Sequence, residues 1–228
     1  KNDYIIGYSS VNWGKTFLNM FQYIDFFLLL VAARGASNLG YPLACTGQNQ
    51  AYRKSLYKKV GGFSKIYNQK QGDDSLFLNI CKKWGKASIV YADDYNCQVL
   101  SRQESTWGSF LNQRLRWSGD ANIMWKVNIK FYILMVAIFL LHIILISLLV
   151  ISILDYSYFP ILIKFMMIKF IMEFLLYFSG ISQLNKPIHL RGFIIWYFIH
   201  IPYIALMGLG SSFQSRLNWK GRRLQTLS

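Results

Sequence analysis

Between positions 131 and 154 the chain carries no charged residue, and the one side chain there that could gain charge near neutral pH is His142. That run has the roughly twenty-residue length an α-helix needs to cross a bilayer. Two more apolar runs follow, 161–184 and 192–213. The first holds Lys164, Lys169 and Glu173. Lys169 and Glu173 stand four positions apart, so a helix pairs them on a protein-facing side, because an isolated charge in lipid is costly. The second contains Pro202, Gly208 and Gly210, which predicts a break near the proline. Much earlier, residues 16–33 are also strongly apolar, but Asn19, Gln22 and Asp25 interrupt the first half and Arg34-Gly35 closes the run. Its uninterrupted part, 26–33, is too short to span, which predicts a core helix or one lying along the interface.

The remaining pattern is that of a small mixed domain. Short apolar stretches at 4–8, 41–45 and 88–91 read as strands, and helices are expected over 50–60 and 74–84. Lys58 and Lys59 before Gly61-Gly62, and Lys82 and Lys83 before Gly85, supply the basic last turns and glycine stops of those helices. From Ser105 the chain runs into another helix. Strand, helix and strand in this order predict an α/β domain over 1–128, a transmembrane region over 129–213 and a basic tail over 214–228. No internal repeat and no low-complexity tract is present.

Charge sharpens the picture. The 228 residues include 25 Lys and Arg against 10 Asp and Glu, a formal charge of +15. Such an excess favours anionic lipid head groups or a nucleotide diphosphate; nucleic acid is disfavoured, because the basic residues cluster beside apolar runs and no recognition motif occurs. Basic residues flanking a span mark its cytoplasmic side. Three crossings would place the tail outside, whereas its Lys and Arg density between Arg216 and Arg223 argues for inside. Cys45, Cys81 and Cys97 form no C-x-x-C pair and read as reduced thiols. His142, His189 and His200 are scattered, without metal-ligand spacing. The chain begins at Lys1 without an initiator Met or a signal-peptide pattern, which suggests that an amino-terminal part is missing.

Candidate chemistry concentrates at Gln113-Arg114-Leu115-Arg116-Trp117. On a helix Gln113, Arg116 and Trp117 share a face, Leu111 and Leu115 point away, and Arg114 is expected to face solvent or head groups. A forked cation grips phosphate oxygens, and an indole offers a plate for a sugar ring; a snorkelling Arg and an interfacial Trp are the plain alternative. Asp73-Asp74, at a helix start, offers either a general base or an N-cap.

These motifs occur in order: Thr46-Gly47-Gln48-Asn49-Gln50-Ala51-Tyr52-Arg53, Val60-Gly61-Gly62-Phe63, Gly72-Asp73-Asp74-Ser75-Leu76 and Gln113-x-x-Arg116-Trp117. Over about residues 40 to 125 they resemble the acceptor half of a membrane-bound family 2 glycosyltransferase, the group that includes the cellulose, chitin and hyaluronan synthases. The resemblance implies a partial GT-A fold and inverting transfer from a nucleotide-diphosphate sugar, a UDP-sugar foremost, to a lipid-linked or glycan acceptor at the cytoplasmic face of the plasma (inner) membrane. It implies Asp74 as catalytic base, with Asp73, Gln113, Arg116, Trp117, Asn49 and Arg53 at the substrates. It also implies a divalent cation, Mg²⁺ or Mn²⁺, held by a D-x-D motif that occurs nowhere in this chain. The metal ligands are therefore expected outside these residues, leaving the chain inactive by itself. Single transfer to a lipid, processive synthesis of a polysaccharide, and a non-catalytic basic membrane scaffold or transporter component remain open.

Overall fold

The structure is a computed structural model and describes residues 2–67, 72–92, 94–211, 218–219 and 222–223. The polar stretch 68–71, Asp93 and most of the basic tail lie outside the described residues.

A small sheet organises the amino-terminal part. Strand β1 (Tyr4–Gly7) runs antiparallel to β3 (Gln50–Tyr52) and parallel to β4 (Ile89–Ala92), while β2 (Ser9–Val11) runs parallel to β5 (Val99–Ser101). Tyr4 and Ile6 are fully buried and Ile5 between them is exposed, the two-residue alternation of a half-covered strand. At Tyr8 the chain steps from one ladder to the other. The Tyr8 carbonyl accepts from the Val99 N–H at 3.1 Å and from the Asn49 amide at 2.8 Å.

Asn49 packs so closely over Gly7 that a Cβ there would lie 2.2 Å from its Oδ1. Gly7→Ala should therefore displace the Asn49 amide and lower stability by about 1–3 kcal/mol, an overpacking cost read as a fall in the unfolding temperature in detergent.

Residues 41–45 form no strand. The helix expected over 50–60 is instead β3 followed by α2 (Lys54–Val60), because β1 captures Gln50–Tyr52 and Asp3 accepts from the Arg53 N–H at 2.9 Å. The first apolar helix does not stop at Arg34-Gly35: α1 runs Phe17–Asn38, capped by Thr16, whose hydroxyl accepts from the Asn19 N–H at 3.2 Å.

Helix α3 (Asp73–Trp84) lies between two left-handed glycines, Gly72 and Gly85, where residues with a Cβ are disfavoured. Helix α4 (Trp107–Val127) opens on a reciprocal Thr106/Ser109 capping box. Asn128 then ends α4 and caps α5 (Ile129–Leu154), while its amide donates to Asn79 of α3 at 2.9 Å. Helices α6 (Phe159–Leu184) and α7 (Leu190–Gly210) complete the bundle, and α7 passes through Pro202 without the expected break. The whole is mostly helical with a small sheet, sparser in strand than an α/β reading implies.

Three helices among the described residues are long and apolar enough to cross a membrane: α1, α5 and α7. Helix α5 is the most open, with only a ninth of its apolar window buried, whereas more than half of that of α1 is covered. Helix α1 packs against α6 through Phe27 on Tyr177 and through Val31 and Phe27 over Gly180, and against α7, where the Trp196 indole donates to Asp25 at 3.5 Å. In α6, Lys169 and Glu173 pair at 2.6 Å, as their spacing indicates. The histidines scattered in sequence are not scattered in space. The Nε2 of His142 lies 3.3 Å from His200 Nδ1, which is itself 3.6 Å from a Glu173 oxygen.

Candidate active site

Asp74 sits in the first turn of α3, half-buried, with Asp73 exposed beside it. Its two oxygens are held by backbone donors: the Gly47 N–H at 2.7 Å on Oδ2 and the Ser75 N–H at 2.6 Å on Oδ1. Burial pushes the carboxyl above its ordinary value, the N–H groups of Ser75 and Gly47 pull it back down, and Asp73 adds a smaller upward push. The Ser75 hydroxyl binds the Cys45 backbone on both sides, at 3.3 Å to the carbonyl and 3.4 Å to the N–H. The loop 46–49 is thereby fastened to the start of α3.

The same loop reaches the helix that carries the Gln113 to Trp117 stretch. Gln48 accepts from the Ser101 hydroxyl at 2.6 Å and lines a narrow cleft with Arg102, Gln113, Arg114 and Trp117. Asp74 thus touches one end of the loop at Gly47, and Gln113 and Trp117 share a cleft with the next residue. Gln113 donates to the Glu104 carboxylate at 2.9 Å, which fixes its amide. Arg116 is half-buried with its Nε covered, and it does not line that cleft.

Arg114 takes the inward place. Expected at solvent or head groups, it is 6% exposed and pairs with Asp25 of α1 at 2.9 Å. Its guanidinium lies 4.0 Å from the centre of the Trp117 ring and 5.0 Å from that of Phe110. Desolvated cations stack on aromatic faces, so this box holds Trp117 in place. The sequence hid the arrangement because Asp25 belongs to a distant apolar helix. Gln48 and Ser75 were missed for a related reason: one acts through its neighbours in space, the other through its backbone partner.

Asn49 and Arg53 lie at the edge. The Asn49 amide donates to the carbonyls of Tyr8 and Cys97 at 2.8 and 2.7 Å. Arg53 Nε donates to the Asn2 carbonyl at 2.9 Å and lies 3.7 Å from the Asp3 carboxylate, so it ties β3 to the chain start. A larger cavity of about 420 Å³ opens on the far side of Val11, which lines both spaces. Its walls include Trp13, Tyr23, Gln98, Lys186 and His189, where β2 and β5 meet the α6–α7 connection.

The fold thus joins Asp74, at the start of α3, through one loop to a cleft of amide, guanidinium and indole groups, on a body with helices long and apolar enough to cross a membrane. Residues 4–209 match the family model of the glycosyl transferase family group 2, and the chain belongs to that family. No curated protein matches it. The family acts through a nucleotide-sugar donor and an acceptor, and it generally uses a divalent cation. The residues at the cleft do not make up the family's cation site, because the chain has no D-x-D.

Proposed function

We propose that the protein transfers a sugar, with inversion, from a nucleotide-diphosphate donor to the hydroxyl of a lipid-linked or glycan acceptor at the cytoplasmic face of the plasma membrane. The observation that carries this reading is the family match spanning Asp74 and the Gln113 to Trp117 helix, which the 46–49 loop joins. Asp74 takes the acceptor hydroxyl proton as that oxygen attacks the anomeric carbon, and the diphosphate departs with the electrons of the broken bond. By the family motif Arg116 steadies the diphosphate from outside the cleft that Gln113 and Trp117 line, Trp117 supports the acceptor sugar and Gln113 orients the donor side. Asp73 rims the site, and Asn49 and Arg53 shape the loop around it.

The cavity beyond Val11, with aromatic, amide and amine walls at the edge of the bundle, suits a sugar carried on a lipid. The D-x-D that holds the metal in the GT-A arrangement is not among these 228 residues.

The test incubates membranes carrying the natively expressed protein with a panel of labelled nucleotide sugars. Label extracted into organic solvent supports a lipid-linked acceptor, and alcohol-insoluble label identifies a polysaccharide synthase. No incorporation from any donor returns the chain to a non-catalytic scaffold or transporter component. In the same assay Arg116→Lys keeps the charge but loses the fork, and should lower transfer about tenfold or more.

A further inference from the structure

We propose that His142, Glu173 and His200 form a binding site for a divalent transition metal of the Zn²⁺ type inside the bundle, built from α5, α6 and α7 and separate from the sugar-transfer cleft. His142 is 1% exposed, and the His200 and Glu173 side chains are 12% and 19% exposed. Their ligand atoms lie within 4.8 Å of one another. Two separations, 3.3 Å between the histidine nitrogens and 3.6 Å from His200 to Glu173, are close to the edge of a tetrahedron with bonds of about 2.0–2.1 Å.

The hydrogen-bond inventory favours a metal. His142 Nδ1 is 2.7 Å from the Ile138 carbonyl, which only accepts, so Nδ1 carries the hydrogen and the Nε2 lone pair faces the cluster. A backbone carbonyl holding the outer nitrogen of a histidine is the usual orienting partner of a metal ligand. The Oε1 of Glu173 is a second acceptor facing the same His200 nitrogen. His200 Nδ1 therefore stands between two acceptors and has at most one hydrogen for them. In apolar surroundings one acceptor is left wanting. A cation satisfies all three lone pairs together. Trp196, stacked on His200 at 4.2 Å, fixes the ring, and Lys169 occupies the other Glu173 oxygen at 2.6 Å, leaving Oε1 to the cluster. The ammonium of Lys169 is a like charge close to the cation and weakens the site without blocking it.

The full chain, purified from membranes in mild detergent without chelator, is analysed for metal by mass spectrometry, then stripped and reloaded with Co²⁺. About one metal per chain and a visible cobalt absorption typical of nitrogen and oxygen ligands are expected. Glu173→Gln and His200→Ala should each reduce metal retention about tenfold or more, and Cys97→Ser should not. Lys169→Met should tighten binding about tenfold. Wild-type protein that retains no metal and gives no cobalt spectrum overturns the site, whether or not the variants fold. Metal content unchanged in Glu173→Gln also overturns it and means an adventitious ion only. Neither readout depends on sugar transfer, so this proposal and the glycosyltransferase reading fail separately.

Discussion

Asp74→Asn will leave the protein folded and in the membrane while lowering sugar transfer about a thousandfold, within the range attributed to a positioned general base. The amide is nearly the same shape: its oxygen can keep the Gly47 N–H, its NH2 gives up the Ser75 N–H, and the Ser75 hydroxyl still binds the Cys45 backbone, so the loop 46–49 stays fastened to α3. What it cannot do is take a proton. Membranes matched for protein content and assayed at saturating donor give the comparison, and near-normal turnover would remove Asp74 from the mechanism. The pH profile supplies a second check. Burial raises this carboxyl above its ordinary 3.8, and only its ionised form works as a base, so the acid limb of transfer should lie above that value. Since the folded value exceeds the unfolded one, protonated Asp74 favours the fold, and that small contribution is lost as pH rises through the folded value.

Asp25→Ala will cost about 3–5 kcal/mol of stability, because it strands the Arg114 guanidinium in an aromatic box away from water. Replacing both partners, Asp25→Leu with Arg114→Met, should recover most of that loss, since an apolar pair of similar volume often substitutes for a buried ion pair at little cost. Thermal unfolding in detergent, followed by tryptophan fluorescence, distinguishes the cases. A single variant as stable as the parent would mean that the pair is not buried in solution. The double variant also separates stability from chemistry. If the guanidinium merely supports the fold, transfer recovers with stability; if it steadies Trp117 for the sugar, transfer stays low.

Local chemistry was legible wherever a short stretch decides its own conformation. The last turns at Lys58-Lys59 and Lys82-Lys83 lie where their glycine stops indicate, and the charge-free run at 131–154 falls inside α5. Pairing across the chain was not legible. Gln50–Tyr52 has helical neighbours on one side and becomes strand only because β1 offers an edge, a tertiary choice that local propensity does not contain. Asp25 looked like a flaw in an apolar helix, and its reason is Arg114 in a helix far along the sequence. His142 and His200 lacked ligand spacing because their meeting depends on how α5 and α7 pack, with Glu173 brought in by α6. The motif residues Gln113 and Trp117 do share a cleft, but Arg114, an unassigned position of the motif, joins them there in place of Arg116.

The interleaving of α1 with the carboxy-terminal helices bears on any attempt to handle the sheet-bearing part alone. Ending the polypeptide at Val127 would keep every strand from β1 to β5, yet it would strip the cover from Phe27 and Val31 and remove Trp196, the indole partner of Asp25. The bared greasy stripe would drive such a truncation into aggregates or back onto lipid. A water-soluble version therefore calls for polar replacements along that stripe, and not simply for a stop codon ahead of α5.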